Sequence, residues 1–192
     1  MLYRVLRFIV LIFYKLILRI KVVGAENVPK TGGVVLSANH RSNHDPLILA
    51  VSQKRSISFM AKESVLKIPV IGFILKHAGI FPVKRGTGDI GAVKKAIEIL
   101  KAGNMLSLFP EGTRNKTAEV LAPFQMGAAM VASKSGGVIV PVGIIGSYRL
   151  FSGITVIYNP PIDPKDYGEK PDNKLITEDL KKAILRSLEE YK

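Results

Sequence analysis

Apolar runs of five to nine residues recur along the chain, and segments with a three-to-four-residue apolar period lie between them. The runs are rich in β-branched and aromatic residues, as buried strands are. They occupy 32–39, 56–61, 79–83, 105–110, 137–145 and 154–160. Because strand-like and helical segments alternate, we predict an α/β fold with a central, mostly parallel sheet flanked by helices.

The segments between and after these runs have the features of helices. The first, 45–53, begins with an expected N-cap at Asp45 and a proline in its first turn. The next, 88–103, places four apolar residues on one predicted face: Ile90, Val93, Ile97 and Leu100. The last is predicted to begin near Thr177 and to bury one face: Leu180, Ile184 and Leu188.

The first 23 residues differ in character from the rest. At about 100° per residue, most of their basic side chains fall on one side of a helix, and apolar side chains cover the remainder. The longest uncharged run, 8–14, is far shorter than the roughly 20 residues that a membrane-spanning helix needs. This pattern is typical of an amphipathic helix lying in the membrane interface. A signal peptide is one alternative, although no small-residue cleavage site follows, and a helix covering the protein's own core is another.

Composition narrows the chemistry. The chain has 192 residues, enough for one core, and no cysteine, which excludes a disulfide scaffold, a thiolate nucleophile and cysteine-ligated metals. With only three histidines, no metal site is predicted. The formal net charge of +13 indicates a polyanionic partner, unless it only solvates the surface. We predict a membrane-interface helical segment over 1–23 and a single domain over 24–192.

A glycine motif, GTGDIGA at 86–92, suggests a dinucleotide-binding protein. It follows a strand-like run, opens a helix and is followed by Glu111, 20 residues after Gly91. Against this interpretation, Pro82 lies inside the supposed strand, and the motif comes late in the chain. A dinucleotide-binding oxidoreductase is therefore a remote alternative, and a flexible loop before a helix is the simpler interpretation.

Two histidines and an acid stand together in NHRSNHDP, 39–46, where a strand is predicted to end and a helix to begin. A histidine can act as a general base when a carboxylate holds one ring nitrogen and the other receives a proton. A short loop can fold Asp45 back onto His40, whereas His44 is the direct neighbour of Asp45. Helix capping is a second, compatible role for Asp45. A purely structural histidine is the alternative for His40.

Two further clusters follow strand-like runs. GIFPVKR, 79–85, ends in two cations, and LFPEGTRN, 108–115, makes a tight turn with an arginine that can fork onto a phosphate. In this order, the blocks resemble the glycerophospholipid acyltransferases, whose pattern is N-H-x-x-x-x-D, G-x-x-F-[IV]-x-R, F-P-E-G-T-R and V-P-[IV]. VPV at 140–142 matches the last block, and the resemblance covers about residues 20–160. Pro82 departs from the second block, and Gln125 stands where members often have lysine.

The resemblance implies a site and a mechanism. His40 would take the proton from the acceptor hydroxyl, and Asp45 would orient His40 and stabilise the imidazolium. The implied substrate-binding residues are Lys62, Arg85, Glu111, Gly112, Thr113 and Arg114. The three cations would hold the acceptor phosphate, while Glu111 would orient a cation or the glycerol hydroxyls. Backbone amides of 111–113 are candidates for stabilising the oxyanion.

The expected activity is that of an O-acyltransferase. An acyl chain would pass from a thioester to the sn-2 hydroxyl of lysophosphatidic acid, giving phosphatidic acid; glycerol 3-phosphate or another lysophospholipid is the alternative acceptor. No cofactor is expected, because acyl-CoA or an acyl-carrier-protein thioester serves as co-substrate.

The expected partners are these substrates, an anionic membrane surface and, for a carrier-borne donor, acyl carrier protein, but not nucleic acid. The protein is expected on the cytoplasmic face of the cell membrane, as a monotopic or peripheral protein. A non-catalytic basic protein that coats membrane or nucleic acid is the remaining alternative.

Overall fold

Each apolar run predicted as a strand forms one in the computed structural model, which describes residues 12, 17–63, 80–83, 89–117 and 119–191 apart from the Lys62 side chain. A further strand precedes them. The strands are β1 (Ile20–Val23), β2 (Val34–Ala38), β3 (Ile57–Lys62), β4 (Ile80–Val83), β5 (Met105–Leu108), β6 (Val138–Gly146) and β7 (Ile154–Tyr158). The helices are α1 (Asp45–Ser52), α2 (Ile90–Lys101), α3 (Gly127–Ser135) and α4 (Asn173–Glu190). Short 3-10 turns occupy Ala25–Asn27 and Pro164–Tyr167.

The strands form a single sheet in the order β1-β7-β6-β2-β5-β3-β4. Neighbouring strands are parallel except β6 and β7, which form an antiparallel pair through the loop 147–153. Strands β2 to β6 therefore point the same way, and their carboxyl ends lie at one edge of the sheet. The predicted mostly parallel α/β fold is confirmed.

Both faces of the sheet are covered, which explains why the central strands are apolar on both sides. One face packs against α1 and Leu18, and the other against α2, α3 and α4. The buried face of α4 holds the three residues predicted for it. β4 lies at the end of the sheet, where Pro82, lacking an N–H, disturbs no ladder on its open side.

Two helix predictions need correction. Ile90, predicted on the buried face of α2, is 70% exposed, and the fully packed positions are Ala92, Ala96 and Leu100. Small residues there let the helix approach its neighbours closely. α4 begins four residues before Thr177, because Asp172 caps it by accepting hydrogen bonds from two backbone amides.

The boundary of the N-terminal segment was also placed too late. Ile20–Val23, predicted as the end of a helix, form β1 and pair in parallel with β7, and Leu18 is buried in the core. The sheet domain thus begins at Ile20 and not at 24. Residues 1–11 and 13–16 lie outside the described residues, so the membrane-interface helix stays a prediction. Among the described residues, no helix combines the length and the apolar character that crossing a bilayer requires.

Candidate active site

The loops after β2, β5 and β6 meet at the edge of the sheet where the parallel strands end. In open α/β sheets, ligands bind outside these carboxyl ends. His40 follows β2 by two residues, and its ring Nδ1 lies 2.9 Å from Oδ2 of Asp45. Both side chains are buried. Because the carboxylate accepts at Nδ1, Nε2 is the ring nitrogen that a substrate can reach.

Asp45 accepts hydrogen bonds from several directions at once. Besides its contact with the His40 ring, Oδ2 accepts hydrogen bonds from the backbone amides of Arg41 and Ser42, each at 2.8 Å. Oδ1 accepts a hydrogen bond from the Tyr148 hydroxyl. These bonds fold the loop 40–44 back onto the acid. The capping role predicted for Asp45 is wrong: the N-cap of α1 is His44, and the Asp45 carboxylate faces the preceding loop instead of the helix amides.

Residues of the loop after β5 form hydrogen bonds with both the amide and the carbonyl of His40. The His40 amide donates to Oε1 of Glu111 at 2.7 Å, and the His40 carbonyl accepts from the Asn115 amide at 2.7 Å. Oε2 of Glu111 accepts from the Ala122 amide at 2.8 Å. The buried Glu111 therefore positions the main chain of the histidine. That it also orients a cation or the glycerol hydroxyls stays a prediction.

Two further contacts fix the histidine. The His40 ring stacks on Phe109, with ring centroids 4.0 Å apart and planes inclined by 20°. The buried Asn39 side chain bonds both the amide and the carbonyl of Ile144, at 2.7 and 2.9 Å, and so extends the pairing of β2 with β6 beyond the last backbone bond. The Asn39 side chain therefore makes the hydrogen bonds to β6 that the backbone of one further strand residue would make.

A cavity of about 600 Å³ opens beside the histidine. Its lining combines apolar side chains from β3, β4, β5 and α3 with the turn after β5: His40, Met60, Val83, Ser107, Leu108, Phe109, Pro110, Gly112, Thr113, Gln125, Gly127 and Ala128. An apolar cavity with a held imidazole at its wall suits a substrate that carries both a hydrocarbon part and a reacting polar group. No cluster of histidine and acidic side chains suited to a metal ion occurs in the described part of the chain.

Comparison with known proteins shows the family. The acyltransferase family model matches residues 19–145, two thirds of the chain, and this range includes the loops after β2 and β5. The chain belongs to the acyltransferase family. The 1-acyl-sn-glycerol-3-phosphate acyltransferase of Borreliella burgdorferi is 31% identical over 186 residues, covering 91% of this chain and 74% of the relative. That of Bacillus subtilis is 30% identical over 174 residues, covering 86% of each.

A solved structure shares the fold. The crystal structure of the 1-acyl-sn-glycerophosphate (LPA) acyltransferase PlsC from Thermotoga maritima has a TM-score of 0.71 and 27% sequence identity to this acyltransferase, and the match covers 90% of this chain and 72% of that one. The resemblance stated from the motifs is therefore confirmed.

The predicted substrate-binding residues of this acyltransferase are only partly brought together. Gly112 and Thr113 line the cavity, and Arg114 follows them as an exposed residue. β3 ends at Lys62, two residues after the lining Met60. The Lys62 side chain and Arg85 lie outside the described residues, as do Gly86 and Gly88 of the glycine motif. The acid that a dinucleotide site would need, Glu111, is bonded to two main-chain amides.

Sequence reasoning missed the supporting contacts of this acyltransferase. Tyr148, Phe109 and Asn115 each touch the histidine or its acid, yet no role was predicted for any of them, although Phe109 opens the F-P-E-G-T-R block. Phe109 and Asn115 flank the P-E-G-T-R turn and could have been suspected from that position. Tyr148 lies 103 residues from Asp45 and had no local signal.

Proposed function

We propose that the protein transfers an acyl chain from a thioester to the sn-2 hydroxyl of lysophosphatidic acid, giving phosphatidic acid. The observation that carries this proposal is the His40 ring, held by Asp45 at Nδ1 and stacked on Phe109, at the wall of an apolar cavity. The names of the bacterial relatives and of the Thermotoga maritima structure support this choice of acceptor.

The reaction needs only groups that the chain and its substrates supply. His40 Nε2 takes the proton of the acceptor hydroxyl as that oxygen attacks the thioester carbonyl, and Asp45 stabilises the imidazolium. Collapse of the tetrahedral intermediate breaks the carbon–sulfur bond, and the imidazolium returns the proton to the departing thiolate. General-base catalysis of this kind contributes about 10²–10⁴-fold. The donor is proposed to be acyl-CoA or an acyl-carrier-protein thioester, with no cofactor.

The acceptor's phosphate is proposed to bind at the cavity beside His40, held by Lys62, Arg85 and Arg114. Gly127 and Ala128, the first residues of α3, line the same cavity, and the positive end of the helix dipole favours an anion there. The departure at Gln125 removes one further cation from this site, so the three remaining cations carry the phosphate.

The developing oxyanion requires donors near the thioester carbonyl. The Gly112 amide is committed to the Phe109 carbonyl at 2.9 Å. Of the turn amides predicted for this role, those of Glu111 and Thr113 are therefore the ones we propose. Gly112, with a φ of 72°, gives the turn its shape.

The protein is proposed to act at an anionic membrane surface, as a monotopic or peripheral protein on its cytoplasmic face. Residues 1–16 are proposed as the interfacial helical segment, and the acyltransferase domain as the part from Ile20 onward. A truncation that tests the segment should end at residue 16, because Leu18 is buried and Ile20 pairs with Ile154. The truncated protein should lose most of its affinity for anionic vesicles; undiminished binding would contradict the interfacial segment.

The acceptor is tested directly by thioester consumption with lysophosphatidic acid, glycerol 3-phosphate and a neutral lysolipid, each with both donor types. We expect turnover with lysophosphatidic acid; preference for glycerol 3-phosphate would overturn the acceptor assignment but not the chemistry. His40→Ala should abolish turnover, whereas the matched His44→Ala variant, altered on the same loop at an exposed residue, should keep most of it. Equal activities of the two variants would refute the mechanism.

A further inference from the structure

Tyr148 touches the acid of the candidate site from a different part of the chain. It lies in the loop 147–153 between β6 and β7, and its hydroxyl donates to Oδ1 of Asp45. Oδ2 of the same carboxylate takes the His40 ring and two loop amides. The two oxygens thus have separate partners. Oδ2 bonds the histidine and its loop, and Oδ1 bonds Tyr148.

We propose that Tyr148 is a positioning residue, which holds Asp45 so that its other oxygen stays aligned with His40 Nδ1. This inference rests on the proposed function. A carboxylate can rotate about its Cβ–Cγ bond, and fixing Oδ1 removes that freedom. Orientation within about 0.5 Å is what a preorganised catalytic pair requires.

The surroundings of Tyr148 suit a permanent hydrogen-bond donor. Burial, together with the charge and the hydrogen bond of Asp45, raises the pKa of Tyr148 far above its ordinary value, although the Arg41 guanidinium acts in the opposite direction. The hydroxyl therefore keeps its proton at any pH at which the enzyme works. The ring packs against the core cluster that includes α1, and it faces His44 with ring centroids 6.1 Å apart. Phenylalanine should keep this packing and lose only the hydroxyl.

The test compares Tyr148→Phe with Tyr167→Phe. Tyr167 also donates to a carboxylate, Asp179, at 3.0 Å, but at the surface beside α4. We expect Tyr148→Phe to lower kcat about ten-fold with KM values for both substrates unchanged, and Tyr167→Phe to leave both as they are. Unchanged kcat in Tyr148→Phe, or a change in KM alone, would overturn the proposal.

A second readout does not depend on turnover. In proton NMR, a ring N–H shared with a carboxylate resonates far downfield, so the Nδ1 proton of His40 reports on its alignment with Asp45. This signal should move or broaden in Tyr148→Phe and not in Tyr167→Phe. An unchanged signal would overturn the proposal even if no acceptor were turned over, while inactivity of the wild-type protein would count only against the proposed function.

The tip of the same loop carries an independent feature. Leu150 and Phe151 are consecutive and 68% and 61% exposed, and Phe151 has a φ of 63°, which L-residues other than Asn and Asp rarely adopt. Hydrogen bonds from the Ser152 hydroxyl to the carbonyls of Ser147 and Arg149 hold the turn in this shape. The fold thus keeps two large apolar side chains exposed, one of them, Phe151, in a backbone conformation that favours glycine.

We infer that this tip inserts into an anionic lipid bilayer. The Phe151 amide donates to the Ile17 carbonyl at 2.7 Å, so the tip adjoins the end of the segment proposed to lie in the membrane interface. Exposed cations lie in the loop and beside it. Arg149 directly precedes Leu150, and Arg41 and Lys116 line, with Tyr148, a cavity of about 620 Å³ at the start of the loop. Apolar side chains next to basic ones are the combination that binds anionic interfaces.

The chain contains no tryptophan, so a single introduced indole reports on its own position. Phe151→Trp should show a blue-shifted emission, and quenching by bromine-labelled lipid, when vesicles containing phosphatidylglycerol are added. Leu175→Trp is the matched control, since Leu175 is 44% exposed at the start of α4, where Asn173 contacts Ser133 at the end of α3. Its emission should not change.

Four results bear on the lipid contact without reference to acyl transfer. Absence of a shift in Phe151→Trp would overturn it, as would equal quenching of both indoles. A shift that grows with protein concentration in the absence of vesicles would instead show that a second copy of the chain covers the tip. Replacing Leu150 and Phe151 by serine should weaken vesicle binding about ten-fold, whereas Leu175→Ser should not.

Discussion

Replacing Asp45 by asparagine separates the charge of the acid from its shape. An amide has one oxygen that accepts and one nitrogen that only donates. If the oxygen takes the place of Oδ2, it still accepts from the His40 ring and from the two loop amides. The nitrogen then faces the Tyr148 hydroxyl, which can turn and accept from it. Asp45→Asn can therefore keep the loop and the histidine tautomer, and lose only the negative charge.

The size of the effect follows from the lost charge pair. An imidazolium and a carboxylate about 4 Å apart interact by about 4 kcal/mol at an effective dielectric constant of 20. Since about 1.36 kcal/mol corresponds to ten-fold in rate, kcat should fall close to 10³-fold. Asp45→Ala also loses the orientation of the ring and should fall further, toward the roughly 10⁴-fold loss seen when a catalytic acid no longer sets the tautomer.

The measurement is single-turnover thioester cleavage with lysophosphatidic acid at saturation, for wild type, Asp45→Asn and Asp45→Ala. Asp179→Asn serves as the control, because Asp179 has a tyrosine and a lysine as partners but lies at the surface. More than a tenth of wild-type activity in Asp45→Asn would refute the charge argument. Equal losses in the Asn and Ala variants would instead refute the role given to Tyr148 in accommodating the amide.

The remaining predictions concern the turn after β5. Glu111→Gln leaves either the His40 or the Ala122 amide facing an NH₂ group. Urea unfolding should therefore show a free energy of unfolding lower by about 1–3 kcal/mol, and kcat should fall as well. An unchanged unfolding midpoint would contradict the positioning role of Glu111. Gly112→Ala puts a Cβ 2.8 Å from Gln125 Nε2 and holds an alanine at positive φ. The positive φ alone costs about 1–2 kcal/mol of stability, and the substitution should raise KM for the acceptor. Adding Gln125→Ala should relieve the clash but not the backbone cost, so full recovery of stability would show that the backbone argument is wrong.

Local patterns predicted the strands because burial on both faces requires continuous apolar runs, whatever their neighbours are. They failed for β1. Ile20–Val23 continue a helical charge pattern, and their partner β7 lies more than 130 residues away. The face of α2 was also mistaken, since Ala92 and Ala96 are too small to dominate an apolar pattern, yet their size lets the helix pack closely.

The candidate site also has a part that the sequence predicted and a part that only the tertiary structure decided. The sequence alone determined that His40 and Asp45 form a pair, because five residues of loop suffice to bring one onto the other. It could not determine that Asp45 leaves its helix uncapped, that Glu111 holds the His40 amide or that Tyr148 holds the acid. The latter two contacts join residues 71 and 103 positions apart, and only the order of the strands in the sheet brings their loops to the same edge.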